Sequence, residues 1–373
     1  MRSVAYLRVI VVLALGACGT DAAGDPDTEG GSTATPASTS QTDQSGGDFS
    51  TAGPSTAASS TSDSTDATDT EPGGSTSTGD PPLPADAIAV VVGYGTRRVR
   101  SADGLTWTDF AEVDPRGGDD DNLLRGVGYG DGVFVAAGGS GAALIMRSTD
   151  GIAWESVPNT LGNFVSDVAH ADGTFVAAGG NGLRARSVDG GATWDSSTRY
   201  YAGHFRAVAA GNGVFVAVGH TYGDSNDGLW STSIDGVTWT TEQTGGAPMG
   251  DGALAFGDGV FVVRDGAGAV RTSEDGQAWG EPVMQLGGPG RMIHVDGAFS
   301  SAGDDGLWRS TDGSTWVAAE GDGRGVDGWL HGRYLSVSWP AAIDTSEDLA
   351  QWQRTFDVGG PGFTDVAVGS PTR

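Results

Sequence analysis

The sequence predicts an all-β protein, a seven-bladed β-propeller of four-stranded blades, carried on a disordered N-terminal tether. Three observations predict it. A motif Ser/Thr-x-Asp-Gly-x-x-Trp, or a close variant, recurs seven times, with tryptophans at Trp107, Trp154, Trp194, Trp239, Trp279, Trp316 and Trp352. The intervals are 47, 40, 45, 40, 37 and 36 residues, the length of one four-stranded blade. Between the motifs lie short runs of small and β-branched residues bounded by Asp-Gly and Gly-Asn turns, which are hairpin signals rather than helical ones. The two ends of the repeat region are also incomplete in complementary ways.

The third copy shows the frame. Val168-Ala169-His170 reads as a first strand, Asp172-Gly173 as a turn, and Phe175-Val176-Ala177-Ala178-Gly179 as a second strand. Leu183-Arg184-Ala185-Arg186-Ser187 is a third strand that runs into the Asp motif, and a more polar fourth follows Trp194. The frame recurs over 127–154, 208–239, 254–279 and 293–316, and a more diverged copy passes through Trp329, Tyr334 and Trp352. Residues 89–93 through 100–101 match 175–187, so the region begins on a second strand. Residues 363–369 match the first strand and have no second strand after them. Pairing the C-terminal strand into the N-terminal blade satisfies both edges and closes the ring. Blade 1 is therefore expected to be assembled from both ends of the propeller domain, residues 87–373, with a monomer as the expected state.

Upstream, Arg2 and Arg8 precede an apolar run from residue 9 to 17 that ends Leu15-Gly16-Ala17-Cys18. This resembles the lipobox of bacterial lipoproteins: small residues before the cut fit a signal peptidase, and the thiol after it can receive a diacylglyceryl group. The resemblance implies a signal peptide over 1–17, lipidation at Cys18, and attachment to the membrane by lipid only, since the run is too short to span a bilayer. With Gly19 following the cysteine, it implies the cell envelope and, in a Gram-negative cell, the outer membrane. Residues 18–86 are rich in Ser, Thr, Gly, Asp, Pro and Ala; from 19 to 83 there is one aromatic (Phe49) and no basic residue. Such a segment cannot bury enough apolar surface to fold. It is expected to act as a flexible leash with a reach on the order of 45 Å.

All 20 basic residues are arginine, against 48 acidic ones, for a net charge of −28. That excess argues against nucleic acid or an anionic membrane surface as ligand, although acidic surfaces mainly keep proteins soluble. A single cysteine excludes an intramolecular disulfide, so stability in an oxidising compartment rests on packing.

The repeat itself resembles the Asp-box, or bacterial neuraminidase repeat, a superfamily that includes sialidases, reducing-end xyloglucan hydrolases, sortilin-type receptors and photosystem II assembly factors. Ser187-Val188-Asp189-Gly190-Gly191-Ala192-Thr193-Trp194 carries the full pattern, and the copies with Asp103, Asp150, Asp235, Asp275 and Asp312 are one residue shorter. The copy with Asp348 has Leu349 where the others have Gly. The chemistry of the box is structural: the carboxylate accepts amides of its own turn, Gly supplies a positive φ, and Trp is a large apolar plate. The resemblance implies that these turns join strands three and four on the face away from a ligand site.

Function is therefore sought on the opposite rim. Arg125, Arg206, Arg291 and Arg324 stand at or just before first strands, and Tyr200, Tyr201 and His204 share one loop. A ring of guanidinium forks suits a carboxylate or sulfate, and tyrosines suit sugar faces; the alternative is that the arginines pair with neighbouring carboxylates as solvated surface. The runs at 119–122 and 224–228 offer oxygen ligands without the spacing of a calcium loop, and the five histidines show no paired spacing, so no metal and no cofactor are expected. No carboxylate pair stands out as glycosidase machinery, and the Phe/Tyr-Arg-Ile-Pro segment of sialidases is absent. The expectation is a non-catalytic module that binds a protein or glycan partner, with a glycoside hydrolase of sialidase or xyloglucanase type as the alternative.

Overall fold

The computed structural model describes residues 82–114, 120–196, 203–223 and 226–372; the signal segment, Cys18, most of the tether, Asp119, Tyr200, Tyr201, Asp224 and Ser225 lie outside the described residues. The described residues form seven four-stranded antiparallel sheets, each a meander of consecutive strands except the first. Blade 1 contains Ile88–Gly93, Arg98–Ser101 and Trp107–Ala111, with Phe363–Gly369 added to the edge of Ile88–Gly93. The register runs from Ile88 opposite Gly369 to Gly93 opposite Phe363. The C-terminal strand thus closes the seven-bladed ring as the end-matching required.

The first strand of every blade packs against the first strands of its two neighbours around the centre. Second strands are buried on both faces, which explains their lack of alternation. Val90 and Val92 of blade 1 pack with Leu124, Val127 and Phe134 of blade 2, whereas Val91 packs with Ala341 and Ile343 of blade 7. In the same way Phe134 and Ala136 face blade 1 while Val135 and Ala137 face blade 3. A continuous apolar run is the signature of a strand covered on two sides. Each fully buried Val or Phe contributes roughly 1.5–3 kcal/mol, so the core is seven interblade seams.

The Asp turns close these seams from below. In blade 4, Ser233 Oγ donates to Asp235 Oδ1 at 3.0 Å, the amides of Val237 and Thr238 donate to the same oxygen at 2.8 and 2.7 Å, and Trp239 Nε1 donates to Gly236 O at 3.1 Å. The amides of Thr238 and Val237 hold the Asp235 carboxyl down at about 2 against the opposing effect of burial. A Cβ on Gly236 would meet Val176 Cγ2 of blade 3 at 2.8 Å, and the same approach joins Gly151 to Val90, Gly191 to Val135, Gly276 to Val216 and Gly313 to Val262. Five of the seven turns therefore seat on a valine of the preceding blade, and a Cβ on Gly104 would lie 3.5 Å from Leu335 of blade 7.

Leu349 is where the sequence broke this pattern, and the turn forms nonetheless. Leu349 adopts φ 63°, its amide donates to Ser346 Oγ at 2.9 Å, and Trp352 Nε1 donates to Leu349 O at 3.0 Å. By strand register, the position that Val262 fills against Gly313 is Ser300 in blade 6, since Val262 pairs with Thr272 and Ser300 with Arg309. A smaller residue on the preceding blade leaves room for a side chain in the turn.

Candidate functional site

Four innermost strands carry a β-bulge near the rim opposite the Asp turns. The extra residues are Arg125 in blade 2, Ser166 in blade 3, Arg206 in blade 4 and Thr364 in blade 1. A bulge re-aims the side chain it inserts. Arg125 and Arg206 consequently converge from two blades on a residue of the blade between them, Phe164. Their guanidinium carbons lie 5.0 and 5.7 Å from the centroid of its ring, within cation–π range.

Around this sandwich the rim is aromatic and polar. The His204 ring is 5.3 Å from Phe164, 4.7 Å from Tyr222 and 5.4 Å from His220. Arg206 Nε donates to His220 Nε2 at 3.2 Å, and His220 Nδ1 lies 3.2 Å from Thr221 O. These two bonds place the His220 ring proton on Nδ1. Burial, with Arg206 and His220 nearby, pushes the His204 imidazole down to about 4, so it is uncharged at neutral pH. Its Nδ1 accepts the Asn181 amide at 3.3 Å, and Tyr222 Oη donates to Asn181 Oδ1.

Both arginines meet carboxylates only loosely. Arg125 is 3.8 Å from Asp120 and Arg206 is 3.5 Å from Asp251, and those acids are 62% and 65% exposed. Ion pairs of this kind contribute roughly 0–1 kcal/mol, so a ligand's anion can take the place of either acid at little cost. Two guanidiniums, a phenyl face and a neutral imidazole are the groups that a carboxylate or sulfate attached to an organic framework would require.

Arg291 lies apart from this cluster. It reaches into the middle of the ring, where it donates to Asp365 Oδ1 of blade 1, to Thr364 O at 3.0 Å and to Asp327 Oδ1 of blade 7 at 3.5 Å. The remaining oxygens of these acids hold the backbone: Asp365 Oδ2 accepts the Val127 amide of blade 2 at 2.8 Å and Asp327 Oδ2 the Val337 amide at 2.9 Å. Asp167 of blade 3 accepts the amides of Val168 and of Val208 in blade 4. Burial and the Asp365 charge push its carboxyl up to about 7. This is a central ionic staple across blades 1, 2, 3, 4, 6 and 7, and its oxygens are already engaged.

Arg324 belongs to a third grouping at blade 7. Its Nη1 lies 2.6 Å from Asp344 and its Nη2 3.2 Å from Asp322, with its guanidinium 5.6 Å from the centroid of Trp352. The four arginines singled out in the sequence thus occupy three environments, and only Arg125 and Arg206 share one. Phe164, His220, Tyr222 and Asp251 are the members of the cluster that sequence reading missed. Phe164 carried a signal, an aromatic directly before a first strand, but its role depends on arginines 39 and 42 residues away. Among the described residues no group of three or more His, Cys, Asp or Glu side chains is placed to hold a metal ion.

No protein-family model matches the chain, and no curated protein matches it. Among solved structures, the chain is similar to the WD40 β-propeller domain of Doa1, at 12% identity over 66% of this chain and 89% of that one, with a TM-score of 0.50. It is also similar to YCF48 bound to D1 peptide, at 17% identity over 67% of this chain and 93% of that one with a TM-score of 0.47. A third is the GH74 enzyme of Niastella koreensis, at 18% identity over 70% of this chain and 43% of that one, with a TM-score of 0.45. At such identities the likeness shows the fold alone: the chain is a β-propeller.

Proposed function

We propose that this protein is a non-catalytic binding module of the bacterial envelope, anchored through a lipidated Cys18 in the outer membrane, whose propeller rim captures a partner protein or glycan bearing a carboxylate or sulfate. The observation that carries the proposal is the convergence of Arg125 and Arg206 on the Phe164 ring, beside an uncharged His204. Strand bulges aim both guanidiniums at one spot, and their present acidic neighbours are exposed and weakly held. A fully engaged pair such as Arg291 and Asp365 gives a ligand nothing to displace, whereas this arrangement does.

The experiment is a comparison of wild type with an Arg125→Ala/Arg206→Ala double variant in glycan arrays and lysate pull-downs. Binding in the wild type and its loss in the variant support the proposal; equal capture by both refutes it. A panel of chromogenic glycosides and polysaccharides separates the alternative of a glycoside hydrolase, which requires product release. Incorporation of labelled fatty acid by wild type and not by Cys18→Ala tests the anchor.

A further inference from the structure

The rim of blade 7 carries a feature that the arginine-bearing cluster does not use. The loop between its second and third strands, Arg333–Ser338 and Ala342–Ser346, places Trp339 at the surface, 65% exposed. The indole is nonetheless held in place. It meets Tyr94 of blade 1 edge-on at 5.1 Å and 86°, and a Cβ on Gly362 would come within 2.7 Å of its Cε3. Beside it opens a cavity of about 490 Å³ lined by Trp339, Ser338, Arg324, Asp344 and Arg354 among others, within the range of small-ligand sites.

The polar wall of this cavity is a preorganised array. Asp344, 7% exposed, is held between Arg324 Nη1 at 2.6 Å and Arg354 Nε at 3.0 Å. Arg354 also donates to Asp357 at 3.0 Å and Arg324 to Asp322 at 3.2 Å. Two guanidiniums are thus covered by three carboxylates, so the wall offers fixed hydrogen-bonding groups without net positive charge. The buried Asp344 cannot be displaced as an exposed acid can, so an anion entering here meets a fixed negative charge. A pyranose fits: its C–H face is apolar and matches an exposed indole, while its hydroxyls both donate and accept, as an Arg-Asp-Arg array requires.

We infer that the Trp339 cavity is a second binding site on this propeller, one that takes an uncharged hexopyranose unit of a glycan. The site is independent of the Arg125 and Arg206 cluster, so either can fail without the other. Indole stacks on the sugar face, and the Arg324, Asp344 and Arg354 array reads the hydroxyls.

The test is affinity electrophoresis of the full-length protein, in detergent, through native gels containing neutral polysaccharides (a glucan, a mannan, a galactan and a xyloglucan). Retardation is expected with at least one. Trp339→Ala should weaken it about tenfold, the scale of losing one aromatic stacking partner, while Trp339→Phe retains part of it. Far-ultraviolet dichroism of Trp339→Ala should match wild type, because the side chain is largely outside the core. No retardation by any of the four polysaccharides, or equal retardation of Trp339→Ala and wild type, overturns the inference.

Discussion

Gly276 and Val216 offer a quantitative test of how neighbouring blades are seated. Gly276 sits at φ +69°, and a Cβ there would lie 2.2 Å from Val216 Cγ2 of the preceding blade. Gly276→Ala therefore combines a left-handed backbone penalty of about 1 kcal/mol with overpacking of roughly 1–3 kcal/mol, for about 2–4 kcal/mol. Val216 is fully buried, and Val216→Ala removes two methyl groups at about 2 kcal/mol. Independent effects would sum to about 4–6 kcal/mol. In the double variant the new methyl occupies the space the valine left, so the loss should be about 3 kcal/mol, with a favourable coupling of about 1–3 kcal/mol. Equilibrium urea unfolding followed by tryptophan fluorescence, with equal m-values required of all four proteins, supplies the cycle. Additivity within about 0.5 kcal/mol would refute steric seating as the reason for glycine, and with it the account of why Leu349 is accommodated opposite Ser300.

Three further outcomes are expected. Leu349→Gly relieves a positive-φ leucine, worth about 1–2 kcal/mol, but strips a side chain packed with Leu307, Val326 and Tyr334 and worth roughly 1.5–3 kcal/mol, so urea unfolding should show net destabilisation; a gain in stability would contradict the packing. The Asp-turn carboxylates of Asp103, Asp189 and Asp235 titrate near 2 in the folded chain. Because these values lie below those of the unfolded chain, the stability they contribute is present above about pH 4 and is lost as pH falls toward about 2. Urea midpoints measured from pH 5 to 2 should decline accordingly, and a flat profile would deny the turns this role. Arg291→Ala leaves Asp365, Asp327 and Asp167 without their cation and should cost about 3 kcal/mol at pH 8. The deficit should shrink as pH is lowered toward 5, because Asp167 and Asp327, raised in the folded state by burial, penalise folding only while they are ionised; an undiminished deficit would show that the staple is not electrostatic.

Much of this fold was legible because its determinants are local. A Ser-x-Asp-Gly-x-x-Trp turn makes its own hydrogen bonds within seven residues, as Ser233 through Trp239 do, so the motif marks a strand junction wherever it occurs. Counting junctions gives the blades, and the unpaired second strand at 88 calls for the unpaired first strand at 363 because exposed ladder groups must be satisfied. The rim was legible only as a set of candidates. Arg125, Arg206, Arg291 and Arg324 stand in similar places before or within first strands, yet they fall into three different surroundings.

The sequence by itself determined the number of blades, their four-stranded meander and the manner of closure, since repeat length, turn chemistry and apolar runs act over a few residues at a time. Only the tertiary structure decided that Arg125 and Arg206 meet on Phe164, that Arg291 turns inward to Asp365, and that Trp339 stands outside the core. Those outcomes depend on where a bulge shifts a strand and on which blade lies alongside, and both are set by pairing between segments that are distant in the chain.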